Sequence, residues 1–121
     1  MSRILAVDDE PHILKLVAFS LKAGGFEVIE ASDGLSAIEI AETEQPDLIL
    51  MDVMMPVLDG FEACRRLKEN PATRDIPVVM LTAKTQLTEQ KVGLDCGAQD
   101  YICKPFTPKD LVAQVQVLLG E

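Results

Sequence analysis

The chain predicts a single α/β domain built on an open, doubly wound parallel sheet. Apolar runs alternate with segments of helical periodicity from one end to the other, making five strand–helix pairs with short links. Three of the strands, within ILAV (4–7), DLILMD (47–52) and IPVVMLT (76–82), are apolar at successive positions, as central strands covered on both faces are. With 121 residues, 48% hydrophobic and 26% charged, the chain fits one core, and no linker, repeat or low-complexity segment interrupts it. Right-handed crossovers then favour the doubly wound arrangement.

ILAV is the first strand. Pro11 suits the first turn of a helix in which Ile13, Leu16, Val17 and Leu21 share a face, and Gly24-Gly25 ends it. FEVIEA (26–31) alternates as a strand does. Asp33-Gly34 is a turn that opens a helix from Leu35 to Glu44, with Leu35, Ile38 and Ala41 on one side. DLILMD is the third strand. Asp59, with Glu62 three residues on, reads as a capping box for a helix through Lys68, which Asn70-Pro71 breaks. IPVVMLT is the fourth strand. Residues 86–96 predict a weaker helix that contains Gly93 and stops at Gly97, and DYIC (100–103) is the fifth strand. Thr107, Pro108 and Asp110 cap a last helix that runs to about Leu119. Its stripe is Leu111, Val112, Val115, Leu118 and Leu119, and Val117 lies off it.

Net charge is −9, from 20 acidic and 11 basic residues, and the one basic cluster is Arg65, Arg66 and Lys68. Direct nucleic-acid binding by this segment is therefore not expected. No apolar run approaches the length of about 18 residues that a membrane helix requires, and MSRILAV lacks the layout of a secretory signal. Cys64, Cys96 and Cys103 are odd in number and lack C-x-x-C spacing. They read as reduced, small hydrophobes in a cytoplasmic protein.

In sheets of this kind ligands bind at the carboxyl ends of the strands, where the strand order reverses. Strand 1 ends in Asp8-Asp9-Glu10, strand 3 in Asp52, strand 4 in Thr82-Ala83 and strand 5 in Lys104-Pro105. A buried run such as LILM that leads into a carboxylate needs a compensating partner or a chemical use, because an isolated ionised carboxylate in a dry site is costly. Three converging carboxylates repel one another and need a cation. Their oxygen-only donors suit a hard divalent ion such as Mg²⁺. A carboxylate neutralised in this way can attack phosphorus and form an aspartyl phosphate. The metal, Lys104 and the hydroxyl or backbone N–H near Thr82 would supply the positioning and charge that phosphoryl transfer needs.

Each residue alone has a plainer explanation. Asp8, Asp9 and Glu10 would favour the positive end of the first helix. Lys104 reads alone as a snorkelling surface chain, Thr82 as a β-branched strand residue and Tyr101 as a half-buried aromatic. Their convergence outweighs the separate explanations. His12 falls on the solvated side of the first helix, and Asp59-Gly60 reads as a cap and not a ligand.

The segments VDDEP (7–11), LILMDVMMPVLDG (48–60), MLTA (80–83) and KPF (104–106) resemble the receiver domain of bacterial two-component response regulators, the CheY-like family. The resemblance spans residues 1–121. It implies a flavodoxin-like (βα)5 fold with a five-stranded parallel sheet of order 2-1-3-4-5. It further implies that Asp52 is the phosphoacceptor, charged from a phosphohistidine of a sensor histidine kinase or a phosphotransfer protein. Asp9 and Asp52 would bind Mg²⁺ through their side chains, Met54 through its backbone carbonyl and Asp8 through a metal-bound water. Thr82 and Lys104 would hold the phosphoryl oxygens, Tyr101 would be the switch aromatic, and Lys104-Pro105 would be cis. Such a domain is not an enzyme beyond its own phosphorylation and autodephosphorylation.

Output would pass through the face formed by the fourth helix, fifth strand and fifth helix to a downstream effector or a fused output domain. Gly93 costs the predicted fourth helix about 1 kcal/mol relative to alanine, which makes it the element most able to respond. A phosphorylation-dependent dimer is among the implied partners. Gln114 and Gln116 stand where the DNA-binding branch of the family carries arginines, which puts that branch's ion-pair dimer in doubt. Lys84 and Met54 are both long, at places that tune access of the hydrolytic water, and imply a phosphoryl lifetime longer than that of the fastest members.

Three competing functions are weaker. A flavin carrier would need a phosphate-binding loop after strand 1, where DDEPH repels phosphate. An aspartyl-phosphate phosphatase would need an acid two residues after its nucleophile, where Met54 stands. A degenerate receiver that only binds partners is disfavoured because every expected site position is filled.

Overall fold

Successive side chains of a strand point to opposite faces, so a run that is apolar at every position needs a packed layer on each side. The computed structural model describes residues 2–53, 55, 57–83, 97–104 and 106–120, with residues 83, 103 and 104 as backbone only. The strands are β1 Arg3–Val7, β2 Glu27–Ala31, β3 Leu48–Asp52, β4 Val78–Ala83 and β5 Asp100–Lys104. The described helices are α1 Pro11–Ala23, α2 Gly34–Glu44, α3 Gly60–Glu69 and α4 Pro108–Leu119. The helix expected over 86–96 lies outside the described residues.

All five strands are parallel, in the order β2-β1-β3-β4-β5. Alternation divides the sheet between two cores. Leu5, Val7, Ile49, Met51, Val78 and Met80 face Ala37 and Ala41 of α2 and Ala63, Cys64 and Leu67 of α3. Ile4, Ala6, Leu48, Leu50, Val79 and Leu81 face Leu14, Val17 and Leu21 of α1 and Leu111 and Val115 of α4. Each of the Val, Leu, Ile and Met side chains among them, once buried, stabilises the fold by about 1.5–3 kcal/mol. β2, at the sheet edge, is the half-exposed strand that its alternating sequence predicts.

The helix starts follow the expected chemistry. Asp59 accepts from Glu62 N at 2.9 Å and Thr107 from Asp110 N at 3.1 Å. Glu62 itself turns to Arg65 and Arg66. Asp33 is a helix cap, accepting from Ser36 N at 2.8 Å, and not only a turn residue.

Two stripes differ from the sequence expectation. Leu16 and Leu35 are exposed, and the buried positions are Leu14, Val17, Ala18 and Leu21 in α1 and Ala37 and Ala41 in α2. In α1 the sheet meets the neighbouring stripe. In α2 small alanines let the helix seat closely, and Leu35 points away. Val117 lies off its stripe as expected and is exposed. Cys64 is fully buried in the core beneath α3, as a small hydrophobe is expected to be.

Candidate functional site

Parallel strands bring all five carboxyl ends to one edge of the sheet. From β1 the chain winds outward to β2 and then returns to β3 on the other side, so the crevice lies between β1 and β3. The register pairs Ala6 with Leu50 and Val7 with Met51. One step further it sets Asp8 beside Asp52, and alternation sends both side chains to the same face. Carboxylate oxygens of Asp8, Asp9 and Asp52 lie within 4.8 Å of one another. Asp8 is 2% and Asp52 5% exposed, while Asp9 is open to solvent. The cluster is therefore dry on the sheet side and reachable past Asp9.

Local hydrogen bonds fix these residues. Asp8 N donates to Ala31 O at 3.2 Å, and Glu10 N donates to Asp8 Oδ1 at 2.9 Å where α1 begins. Beyond Asp52, Val53 N donates to Leu81 O at 3.1 Å, and Gly60 N donates to Val53 O at 2.9 Å. The strand end is held by β4 on one side and by the start of α3 on another.

Thr82 is buried one residue before the end of β4, in register with Cys103, and Ala83 is in register with Lys104. The backbone of Lys104 thus ends β5 at the same edge as Asp52, and its side chain lies outside the described residues. Tyr101 is half-buried and packs on the core that contains Met80. Alternation along β4 places Thr82 on the Met80 face, so Thr82 and Tyr101 share a face. Met54, Lys84 and Pro105 lie outside the described residues. His12 is exposed, as its position predicts.

Carboxylates at this spacing repel one another, and a cation among them would offset that repulsion. Three oxygen donors, two buried and one open to solvent, fit a hard divalent ion, which takes one or two carboxylates and keeps several of its waters. The arrangement can hold such an ion and present a carboxylate to an incoming electrophile.

Two features of the loop between β3 and α3 go beyond what local sequence signals carry. Gly60 does more than follow a cap, because its α-carbon sits against the Asp52 backbone. The signal available was a glycine at the first helical position, where other residues serve as well. Val57 is fully exposed with φ at +69°. That is a strained conformation for a β-branched residue, and nothing local in the sequence announces it.

The model of the response regulator receiver domain matches residues 4–116. The alkaline phosphatase synthesis transcriptional regulatory protein PhoP of Bacillus subtilis is 46% identical over 117 residues, covering 97% of this chain and 48% of that protein. This chain spans about half the length of the curated relatives it matches. A putative response regulator from Chloroflexus aurantiacus superposes with a TM-score of 0.93 at 33% identity, over 99% of this chain and 98% of that one. The receiver domain of the sensor histidine kinase PA1611 of Pseudomonas aeruginosa, solved with magnesium coordinated in its active-site cleft, gives 0.90 at 33% identity over 99% and 98%. The chain accordingly belongs to the receiver domains of two-component response regulators, modules of phosphorylation-mediated signalling.

Proposed function

We propose that residues 1–121 form one receiver domain in which Asp52 accepts a phosphoryl group with the help of Mg²⁺. The observation that carries this reading is the convergence of Asp8, Asp9 and Asp52 at the point where the strand order reverses. Asp9 and Asp52 would hold the ion through their side chains, Met54 through its carbonyl and Asp8 through a water. Bound there, the ion neutralises charge on the acceptor and on the incoming phosphoryl group.

The donor is a phosphohistidine of a sensor histidine kinase or a phosphotransfer protein. Its P–N bond breaks as the Asp52 carboxylate oxygen bonds to phosphorus, and the imidazole leaves with a proton. Thr82 and Lys104 take the phosphoryl oxygens. The domain acts on itself alone, in the cytoplasm, and turns over no external substrate.

Phosphorylation draws Thr82 toward the new charge, and Tyr101 follows on the face the two share. The face formed by the helix expected over 86–96, β5 and α4 then serves an effector, a fused output domain or a second copy. Lys84 and Met54 lengthen the phosphoryl lifetime. The segment makes no direct contact with nucleic acid or membrane. Among the described residues no helix is long and apolar enough to cross a membrane.

The test is intact mass after incubation with Mg²⁺ and acetyl phosphate, beside Asp52→Ala and a metal-free control. One phosphoryl group on wild type alone, and only with Mg²⁺, is expected. Equal addition to Asp52→Ala would mean that another residue is the acceptor.

A further inference from the structure

The loop that leaves Asp52 is closed at its base by the bond from Gly60 N to Val53 O. A β-carbon at Gly60 would stand 2.4 Å from Asp52 O, 2.6 Å from Met80 Cε and 2.9 Å from Val53 Cα. Carbon contacts are most favourable at about 3.5–4.0 Å, so all three are hard clashes. The end of Met80 can turn aside. The other two atoms belong to the backbone of the acceptor and its neighbour, and they yield only if the acceptor moves. Gly60 is not among the positive-φ residues, so its backbone conformation does not require glycine. As the residue after the Asp59 cap it has no capping duty either. What it supplies is closeness.

We propose that Gly60 is a positioning residue for the phosphoacceptor. Its missing side chain lets the first turn of α3 close on the Asp52 carbonyl. Val53, the residue after the acceptor, is then held on both of its peptides: its N–H donates to Leu81 O of β4 and its carbonyl accepts from Gly60 N of α3. That grip sets where the Asp52 carboxylate stands relative to Asp8 and Asp9. The assignment rests on Asp52 being the acceptor. The alternative role is packing alone, in which glycine merely makes room for Met80.

The two roles separate in Gly60→Ala, Met80→Leu and the double variant. Met80→Leu removes the Cε atom and keeps a bulky apolar side chain, so it relieves the side-chain clash and leaves the backbone clash. Three quantities are read on each protein: melting temperature, Mg²⁺ affinity by calorimetry on unphosphorylated protein, and the rate of mass gain from acetyl phosphate. Gly60→Ala is expected to bind Mg²⁺ roughly tenfold more weakly and to gain mass roughly a hundredfold more slowly, the scale of an ångström-sized misplacement. In the double variant melting recovers while affinity and rate stay low.

Recovery of all three together would overturn the proposal in favour of packing, as would a folded Gly60→Ala with wild-type affinity and rate. Should the variants fail to fold, wild type carries the test. Titration with Mg²⁺ must shift the Gly60 amide resonance, and an unmoved resonance overturns the link. Wild type that neither binds Mg²⁺ nor gains mass overturns the phosphoacceptor reading itself, and the role of Gly60 falls with it.

Discussion

The two ends of the sheet handle charge in opposite ways. At the amino edge Arg3 is shared among acids. Its guanidinium reaches Glu44 Oε1 and the Glu44 carbonyl, each at 2.7 Å, and lies 3.9 Å from Glu27. Its backbone N–H donates to Asp47 at 2.7 Å. These groups are partly or largely exposed. At the carboxyl edge three acids crowd together, and two of them are buried. Charge alone therefore does not mark a site. Like charges gathered out of solvent do, because a folded chain tolerates them where a ligand or a reaction compensates.

This contrast can be broken by experiment. Asp8→Asn together with Asp9→Asn should weaken Mg²⁺ binding by roughly a hundredfold in calorimetry. The metal-free double variant should melt no lower than wild type, since two like charges have left the cluster. A clear loss of metal-free stability would mean that these acids serve the fold instead.

A smaller effect separates stability from chemistry. Thr73, fully buried, donates to Leu67 O at 2.6 Å. Thr73→Val strands that carbonyl and should cost about 1–3 kcal/mol in urea unfolding. The rate of phosphoryl gain should not change.

The smallest effect belongs to the amino edge. Arg3→Met should cost less than about 1 kcal/mol, because partly exposed ion pairs contribute little. The difference should shrink further at high salt. A salt-independent loss of several kcal/mol would overturn the contrast between the two edges.

Much of this was legible in the sequence, and what was not has identifiable causes. The strands at 4–7 and 47–52 stood out because both of their faces are buried, which makes the apolar run continuous. Asp59 and Thr107 were readable as caps because capping is a local bond. Asp8, Asp9 and Asp52 were readable as a set because parallel strands must deliver their ends to one edge. Periodicity places Leu16 and Leu35 on the buried faces, whereas both are exposed in the fold. Periodicity finds a stripe, but the packing of the helix on the sheet decides which of two adjacent stripes is buried. Gly60 and Val57 stayed hidden because their roles rest on an approach and a dihedral angle that belong to the folded loop.

The parallel pairing of β1 with β3 also bears on how fast the domain assembles. No hairpin can form early in such a sheet, since every pairing waits for a crossover, and topologies of this kind fold slowly for their size. Asp8 and Asp52 meet only after a whole helix–strand–helix unit between them has been traversed. A cation has no complete cage before that junction exists. Mg²⁺ should therefore leave the refolding rate nearly unchanged and slow unfolding, acting as a latch on the finished sheet and not as a seed for it.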